Sequence, residues 1–333
     1  MVAIKDVAAL AGVSTATVSR TLSQPDKVSE KTRERVMKAV EKSGYRFNAA
    51  ARQFRRQRTE TILTLVPDIG NPFFSNIVQG IESAAQASGY RVVLGETNPE
   101  LSTEGTYAGY MQQRHADGAI LLGVDGADSF ANEDSSMPVV MACEHLPRSP
   151  FPTVRINNAR AAQEAVAYLI ELGHRRIAYI NGPPDSPISK DRLRGYRKAM
   201  KQAGLKIDDN WIAPGDYSPA SGYHAAKALL QMKKPPTAIF AISDPMAIGA
   251  MRAASELGVK IPQDLSLVGF DDIRFAEFMT PRLTTVHQHR ELIGQVAMEM
   301  LVRLLDGEKV AQETILDHEL VIRESTGKPR DGK

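Results

Sequence analysis

The chain has one cysteine, one tryptophan and 6% aromatic residues in a length of 333. A lone Cys143 makes no intrachain disulfide and no cysteine-based metal cluster, so a reducing compartment and a small buried thiol are expected. No stretch approaches the roughly 20 apolar residues that a membrane helix needs. The opening MVAIKDVAAL carries Asp6 and no apolar run of signal-peptide length. A cytoplasmic protein with no membrane partner is the expectation. Catalytic signatures are missing too: there is no Gly-x-Ser-x-Gly elbow, no Walker loop and no His-Glu-x-x-His, so neither an enzyme nor a cofactor is expected. His287 and His289 flank Gln288 without a carboxylate nearby in sequence, a weak pattern for a metal. The segment 326–333 has no leucine heptads, which argues against tetramerisation through a tail.

What is present suffices for one small module and two ordinary globular domains, with 43% hydrophobic residues. The net charge of +2 is unevenly spread. Residues 1–60 hold 13 Lys and Arg against 6 Asp and Glu, a net +7, and the remainder is −5. A basic module therefore precedes a mildly acidic body. Charge alone is a weak pointer to nucleic acid, because basic segments are commonly just solvated surface.

Helical spacing adds to it. Val7, Ala8, Leu10 and Ala11 form an apolar stripe, and Gly12 supplies a turn residue free to take positive φ. Ser14 is placed to cap a second helix whose Val18 and Leu22, four apart, face inward. That leaves Thr15, Ala16, Ser19 and Arg20 outward. A third helix is predicted from Glu30 to Ser43, capped by Ser29, with Val36 and Val40 inward and Gly44 as its stop. A generic three-helix module would account for the apolar positions. Turn, cap and outward arginine together have the spacing of a helix-turn-helix that seats its second helix in a major groove.

Asp6-Val7-Ala8, Ala11-Gly12-Val13-Ser14, Thr17-Val18-Ser19-Arg20, Val28-Ser29 and Gly44-Tyr45 resemble the headpiece of the LacI/GalR transcriptional repressors. The resemblance implies a double-stranded DNA operator as partner. It puts Thr15, Ala16 and Arg20 at base edges, with Arg20 suited to guanine O6 and N7 and Ala16 to a thymine methyl. Ser14 and Thr17 would hold phosphates, with Ser19 on the same outward face. Residues 48–58 read as a basic linker. In the family this segment becomes a hinge helix that wedges an apolar side chain into the minor groove, which places Ala51, Phe54 and Arg55 at DNA, with Phe54 as the wedge. Arg52, Arg56 and Arg58 would neutralise phosphates beside it.

From Thr61 strands and helices alternate. Strands are predicted at Ile62–Val66, Arg91–Gly95, Ala119–Leu122 and Pro138–Met141, with helices near Phe73–Ser88 and Thr103–Arg114. After Asn158 the pattern restarts: helix to Leu172, strand Arg176–Ile180, helix Ser189–Ala203, strand Trp211–Pro214, helix Ala220–Met232, strand Ala238–Ile242, helix Pro245–Leu257 and strand Ser266–Phe270. Leu172-Gly173-His174-Arg175-Arg176-Ile177, Arg192-Leu193-Arg194-Gly195-Tyr196, Gly269-Phe270-Asp271-Asp272 and Pro281-Arg282-Leu283-Thr284-Thr285-Val286 are similar to the family's effector-domain motifs. The implied fold is a small all-α helix-turn-helix headpiece plus an α/β periplasmic-binding-protein-like core of two parallel-sheet subdomains. By the same resemblance the chain divides into a headpiece (1–47), a hinge (48–59), an N-terminal core subdomain (60–158 with 289–318), a C-terminal one (159–288 with 319–328) and a tail (329–333).

Two facing α/β halves bind ligands at the carboxyl ends of their strands. Asp68, Phe73, Phe74, Arg192, Tyr217, Ser243, Asp271 and Gln288 are the candidate effector residues. Aromatic faces with an arginine and an aspartate suit a sugar or nucleoside, although Phe73 and Phe74 also fit core packing. Within the family the body is similar to nucleoside- and ribose-responsive members, which implies a nucleoside or pentose. Ala142 stands where purine and sugar binders often carry aspartate, and Asn157-Asn158 replaces an Asp-Asn pair. The alternatives are another sugar or a purine, or, in a different class, a solute-binding protein with no DNA role. Reading a pseudo-palindrome needs a homodimer, expected to pair near Ile77 to Ala84. The resemblance also brings in a partner activator protein.

Overall fold

The computed structural model describes residues 2–23, 25–45, 58–97, 104–123, 130, 137–146 and 149–330. Contacts divide the chain into two units, Met1–Thr59 and Glu60–Lys333.

The first unit holds helices α1 (Ile4–Ala11), α2 (Thr15–Ser23) and α3 (Glu30–Ser43). Its core is six side chains, Val7, Ala8, Ala11, Val18, Val36 and Ala39, with Ile4, Leu22 and Val40 packed around them. Gly12 closes α1 at φ +61, and Arg35 of α3 donates to the carbonyls of Ala11 (2.6 Å) and Gly12 (3.2 Å), capping a helix end that its own residues leave open. Ser14 caps α2: its Oγ accepts from the Thr17 amide at 3.1 Å. Two expectations need correction. Leu10 is 54% exposed, because at 3.6 residues per turn it points roughly a quarter-turn or more away from the stripe centred on Val7, Ala8 and Ala11. Ser29 precedes α3 as its cap residue, but its hydroxyl donates to the Thr32 hydroxyl (3.0 Å) rather than accepting from an amide.

In the second unit a six-stranded, wholly parallel sheet runs in the order β11 (Glu313–Leu316), β5 (Thr153–Ile156), β4 (Val139–Ala142), β3 (Gly118–Leu121), β1 (Thr61–Val66), β2 (Arg91–Glu96). All of β1 is buried, and the strand period of two sends Ile62 and Val66 to one core layer and Leu63 and Leu65 to the other. Helix α4 (Pro72–Ala87) follows β1, and α5 (Glu104–Gln112) precedes β3. The second sheet, also parallel, has the order β7 (Ile212–Ala213), β6 (Ile177–Ile180), β8 (Ala238–Ala241), β9 (Ser266–Val268). Its helices are α6 (Asn158–Glu171), α7 (Pro187–Gln202), α8 (Pro219–Leu230) and α9 (Asp244–Glu256).

The chain passes between the two halves three times. After β5 it enters α6. After β10 (Thr285–His287) it enters α10 (Arg290–Leu305), which packs on α4, and after β11 it returns as β12 (Glu319–Val321), antiparallel to β10. Two glycines let α4 and α10 meet: a Cβ on Gly80 would strike the Glu291 carbonyl, and one on Gly294 the Ile77 carbonyl. Ile77, Gly80 and Ile81 are therefore buried within this chain, so Ile77–Ala84 is not a free pairing face. Only its other side, with Gln79, Glu82 and Ser83, is exposed.

The strands β5, β10 and β11 were not anticipated; each is only three or four residues long. Predicted strand Trp211–Pro214 shrinks to Ile212–Ala213, with Trp211 ending a 3₁₀ turn. Among the described residues no helix is long and apolar enough to cross a membrane.

Candidate nucleic-acid interface and ligand cleft

On the headpiece, Thr15, Ala16 and Arg20 are exposed on α2, and Ser14 is exposed just before it. Thr17 and Ser19 are half-buried. The Ser14 and Thr17 hydroxyls bond each other at 2.9 Å, and the Thr17 carbonyl accepts from Thr21 at 2.8 Å. The outward face is thus a short row of small polar side chains with one long cation, Arg20. Core residues Val18 and Thr21, 0% and 2% exposed, hold the other face down. Ala51, Phe54 and Arg55 lie outside the described residues.

In the second unit a cavity of about 400 Å³ opens between the two sheets. Asp68, Phe73 and Phe74 come from the end of β1 and the start of α4, and Gly123 and Glu144 from the segments after β3 and β4. The other wall is Asp185, Ser186 and Arg192 after β6, Asp216 and Tyr217 after β7, Ser243 after β8 and Asp271 after β9. Every one of these segments follows the carboxyl end of a parallel strand, as open α/β sheets require of a ligand crevice.

Seven of the eight expected residues line this cavity. Gln288, 2% exposed, stands behind it and donates to Asp271 Oδ1 at 2.7 Å. Phe73 does two things: at 7% exposed it belongs to the core, and its ring sets Phe74 edge-on at 5.0 Å between centroids. Phe74 is half-buried and presents the more open aromatic surface. Tyr217, at φ +70, is held by its hydroxyl between Ser186 Oγ (2.9 Å) and Ser189 Oγ (3.0 Å). Asp271 has φ +111. Two non-glycine residues in that region cost backbone strain, which proteins concentrate at ligand sites. Ser243 is engaged in capping α9.

Arg192 is 3% exposed and heavily engaged. Its Nε donates to Asn158 Oδ1 at 2.9 Å, its Nη1 to the Ile242 carbonyl, and its guanidinium lies 3.5 Å above the Phe270 ring. Nη1 reaches Asp271 only at 3.5 Å. Burial pushes the Asp271 carboxyl up to about 6 despite Arg192, Arg290 and Gln288, which hold it down. Directly beneath is Asp244, fully buried, accepting from Thr285 Oγ1 and from the Ile273 amide (2.8 Å). Burial and the charge of Asp271 push its carboxyl well above the carboxylate range.

Glu144, Asp185 and Asp216 escaped nomination, although each is an acidic residue within a few positions of a strand's carboxyl end, which was the available signal. Asp244 and Arg290 were also missed: Arg290 sits at the crossover into α10 and donates to the Asp272 carbonyl. His287 does have a carboxylate partner, Asp272, at 2.9 Å, and His289 approaches Glu319 at 3.6 Å; both carboxylates are supplied by tertiary structure. Among the described residues no group of three metal-ligating side chains exists.

Residues 3–48 match the model of the bacterial regulatory proteins, lacI family, and residues 166–326 that of the periplasmic binding protein-like domain. The HTH-type transcriptional repressor CytR of Escherichia coli (strain K12) is 43% identical over 97% of this chain and 96% of its own length. This chain belongs to the lacI family. It is a DNA-binding transcriptional repressor by kinship and not an enzyme. Among lacI-family structures, the lac repressor dimer bound to operator and the anti-inducer ONPF matches with a TM-score of 0.87 and 30% identity, covering 98% of this chain and 99% of that one. The complex of the transcriptional regulator CelR with cellobiose matches with a TM-score of 0.75 and 34% identity, covering 98% and 100%.

Proposed function

We propose that this lacI-family repressor binds a pseudo-palindromic operator as a homodimer and is controlled by a nucleoside or pentose held in the cleft between its core subdomains. The observation that carries the effector assignment is the make-up of one cavity: Phe74 and Tyr217 offer flat apolar faces, and Asp271 offers an acceptor backed by Gln288. Flat faces suit a base or a sugar face, and a carboxylate suits paired hydroxyls. The relatives agree in kind, since one lac repressor structure holds operator with an anti-inducer and CelR holds cellobiose.

At DNA, Arg20 reads guanine, Thr15 and Ala16 make modest base contacts, Ser14 and Thr17 set register on phosphates with Ser19 on the same DNA-facing side, and Ala51, Phe54 and Arg55 act at the hinge, with Phe54 as the minor-groove wedge. The second copy docks on the edge strand β2, where Val93 and Leu94 are 39% and 46% exposed beside the free side of α4. An effector that prefers one arrangement of the subdomains shifts the dimer's population towards or away from its DNA-competent form.

Two measurements test this. Fluorescence anisotropy on selected and scrambled duplexes should show sequence preference; equal affinity for both removes the operator assignment. Calorimetry with cytidine, adenosine and ribose should show heat with at least one, and silence from all three removes the effector assignment.

A further inference from the structure

We infer that the cleft takes an unphosphorylated effector rich in hydrogen-bond donors, and that its own charge rejects the phosphate esters of the same compounds. The inference rests on the effector reading above and adds to it the charge state of the ligand. Among the described residues the carboxylates of Asp68, Asp185, Asp216 and Asp271 line the cavity together with one cation, Arg192.

That cation is already spoken for. Two of its nitrogens are spent on Asn158 and the Ile242 carbonyl, and its face covers Phe270. A phosphate held side-on through Nε would have to displace the Asn158 bond and leave a buried amide oxygen unpaired, and one held through Nη1 would compete with the Ile242 carbonyl and Asp271. Among the described residues, two further cations are engaged elsewhere. Arg290 turns to the Asp272 carbonyl and lines a different cavity, and the exposed Lys190 ammonium is tied to the Asp185 carbonyl at 3.0 Å. The hydroxyls of the wall are similarly engaged with one another, since Ser186 and Ser189 share the Tyr217 phenol.

Two of the carboxylates carry their charge at neutral pH. Asp216 is held below the ordinary range by the Ser218 and Ser221 side chains, and Asp271 at about 6 is mostly ionised at pH 7. The cavity therefore supplies acceptors in excess and asks the ligand for donors: sugar hydroxyls, or the exocyclic amine of a base. A dianionic phosphate meets like charge on both walls within a partly desolvated space, where screening is weak.

Calorimetry on the full chain at pH 7.5 should compare cytidine with cytidine 5′-monophosphate, adenosine with its 5′-monophosphate, and ribose with ribose 5-phosphate. In each pair that binds, the ester should be at least about 30-fold weaker, near 2 kcal/mol at 1.4 kcal/mol per tenfold. The gap should narrow in the Asp68→Asn, Asp216→Asn double variant. An ester that binds as tightly as its parent overturns the inference and leaves the effector class standing. If no parent binds, the effector class fails, and a ligand-free measurement still decides the charge question. Matched cationic and anionic nitroxides are added to protein labelled at phenylalanine. Several-fold stronger broadening of the Phe74 ring signals by the cation supports an acidic cleft, and equal broadening by the two overturns it.

Discussion

The headpiece and the cleft solve recognition in opposite ways. The headpiece keeps its candidate readers exposed on one helix, over a core of six side chains contributed by about thirty consecutive residues. The cleft draws its residues from seven segments between Pro67 and Asp271 and buries the most important of them, with Arg192 at 3% and Asp271 at 5% exposed. An exposed reader is dispensable to its fold, whereas a buried binder is also part of the core. Substitutions should therefore separate cleanly by region: in the headpiece they should alter recognition and spare stability, and in the cleft they should damage both.

Arg192→Ala offers the largest test of that contrast. It would take from buried Asp271 the first of the two arginines that hold its charge, and leave Asn158 and the Ile242 carbonyl without that donor. Removing one partner of a buried pair costs about 3 to 5 kcal/mol. Urea unfolding of the core should shift by that amount, with effector binding lost in parallel. A variant that lost binding at unchanged stability would break the comparison. Arg20→Ala should do the reverse. Operator discrimination should fall by about 1 to 3 kcal/mol, the worth of one bidentate base contact, while headpiece melting and binding to scrambled DNA hold. Anisotropy on the two duplexes reads the difference.

The same contrast explains what was legible in the sequence. Gly12, Ser14, Val18 and Arg20 carry their meaning within one short stretch of chain, so spacing alone places them. Core strands such as β1 and β8 are visible as apolar runs because both of their faces are buried. Strand β5 hides between Pro152 and a helix cap, and β11, with alternating exposed residues, forms only because β5 offers an edge. In the cleft, loop position after a strand picks out Asp68, Tyr217 and Asp271. It says nothing of what Arg192 or Gln288 bonds to, nor that His287 meets Asp272, fifteen residues away, since those partners exist only once the sheets are stacked. Leu10 failed for the converse reason: apolar character marks a stripe only when its direction agrees.

A pH series sharpens the cleft side. Asp271 is raised from 3.8 to about 6 by burial, so the folded state holds its proton more tightly than the unfolded chain does. As pH falls from 7 towards 5 the core gains stability from this group, and it loses that gain again as pH rises through 6. Effector affinity runs the other way, because the protonated carboxyl is a poorer acceptor, and should drop about tenfold by pH 5. Asp272 has the opposite sign: His287 and Arg323 hold it below 3.8 against the effect of burial, so its contribution is present above that value and is lost only in stronger acid. Thermal melts and calorimetry from pH 7.5 to 5 should therefore diverge, with stability flat or rising and affinity falling. Affinity that held unchanged down to pH 5 would remove Asp271 from the ligand contact.

Ser14→Ala is the mildest change and probes whether the headpiece is as separable as its exposure suggests. The Ser14 hydroxyl accepts from the Thr17 amide at 3.1 Å and bonds the Thr17 hydroxyl at 2.9 Å. It thus satisfies one of the open amides at the start of α2 and is also proposed to sit against a phosphate. Loss of the cap should cost about 1 kcal/mol of headpiece stability. Loss of a neutral phosphate contact should weaken all DNA alike and leave the salt dependence unchanged, because no cation is removed. Affinities for operator and scrambled duplex should fall together and by less than tenfold. If operator affinity alone fell, Ser14 would be orienting Arg20 for base reading rather than holding a phosphate, whereas the loss of stability marks it as the exposed residue where recognition and fold are joined.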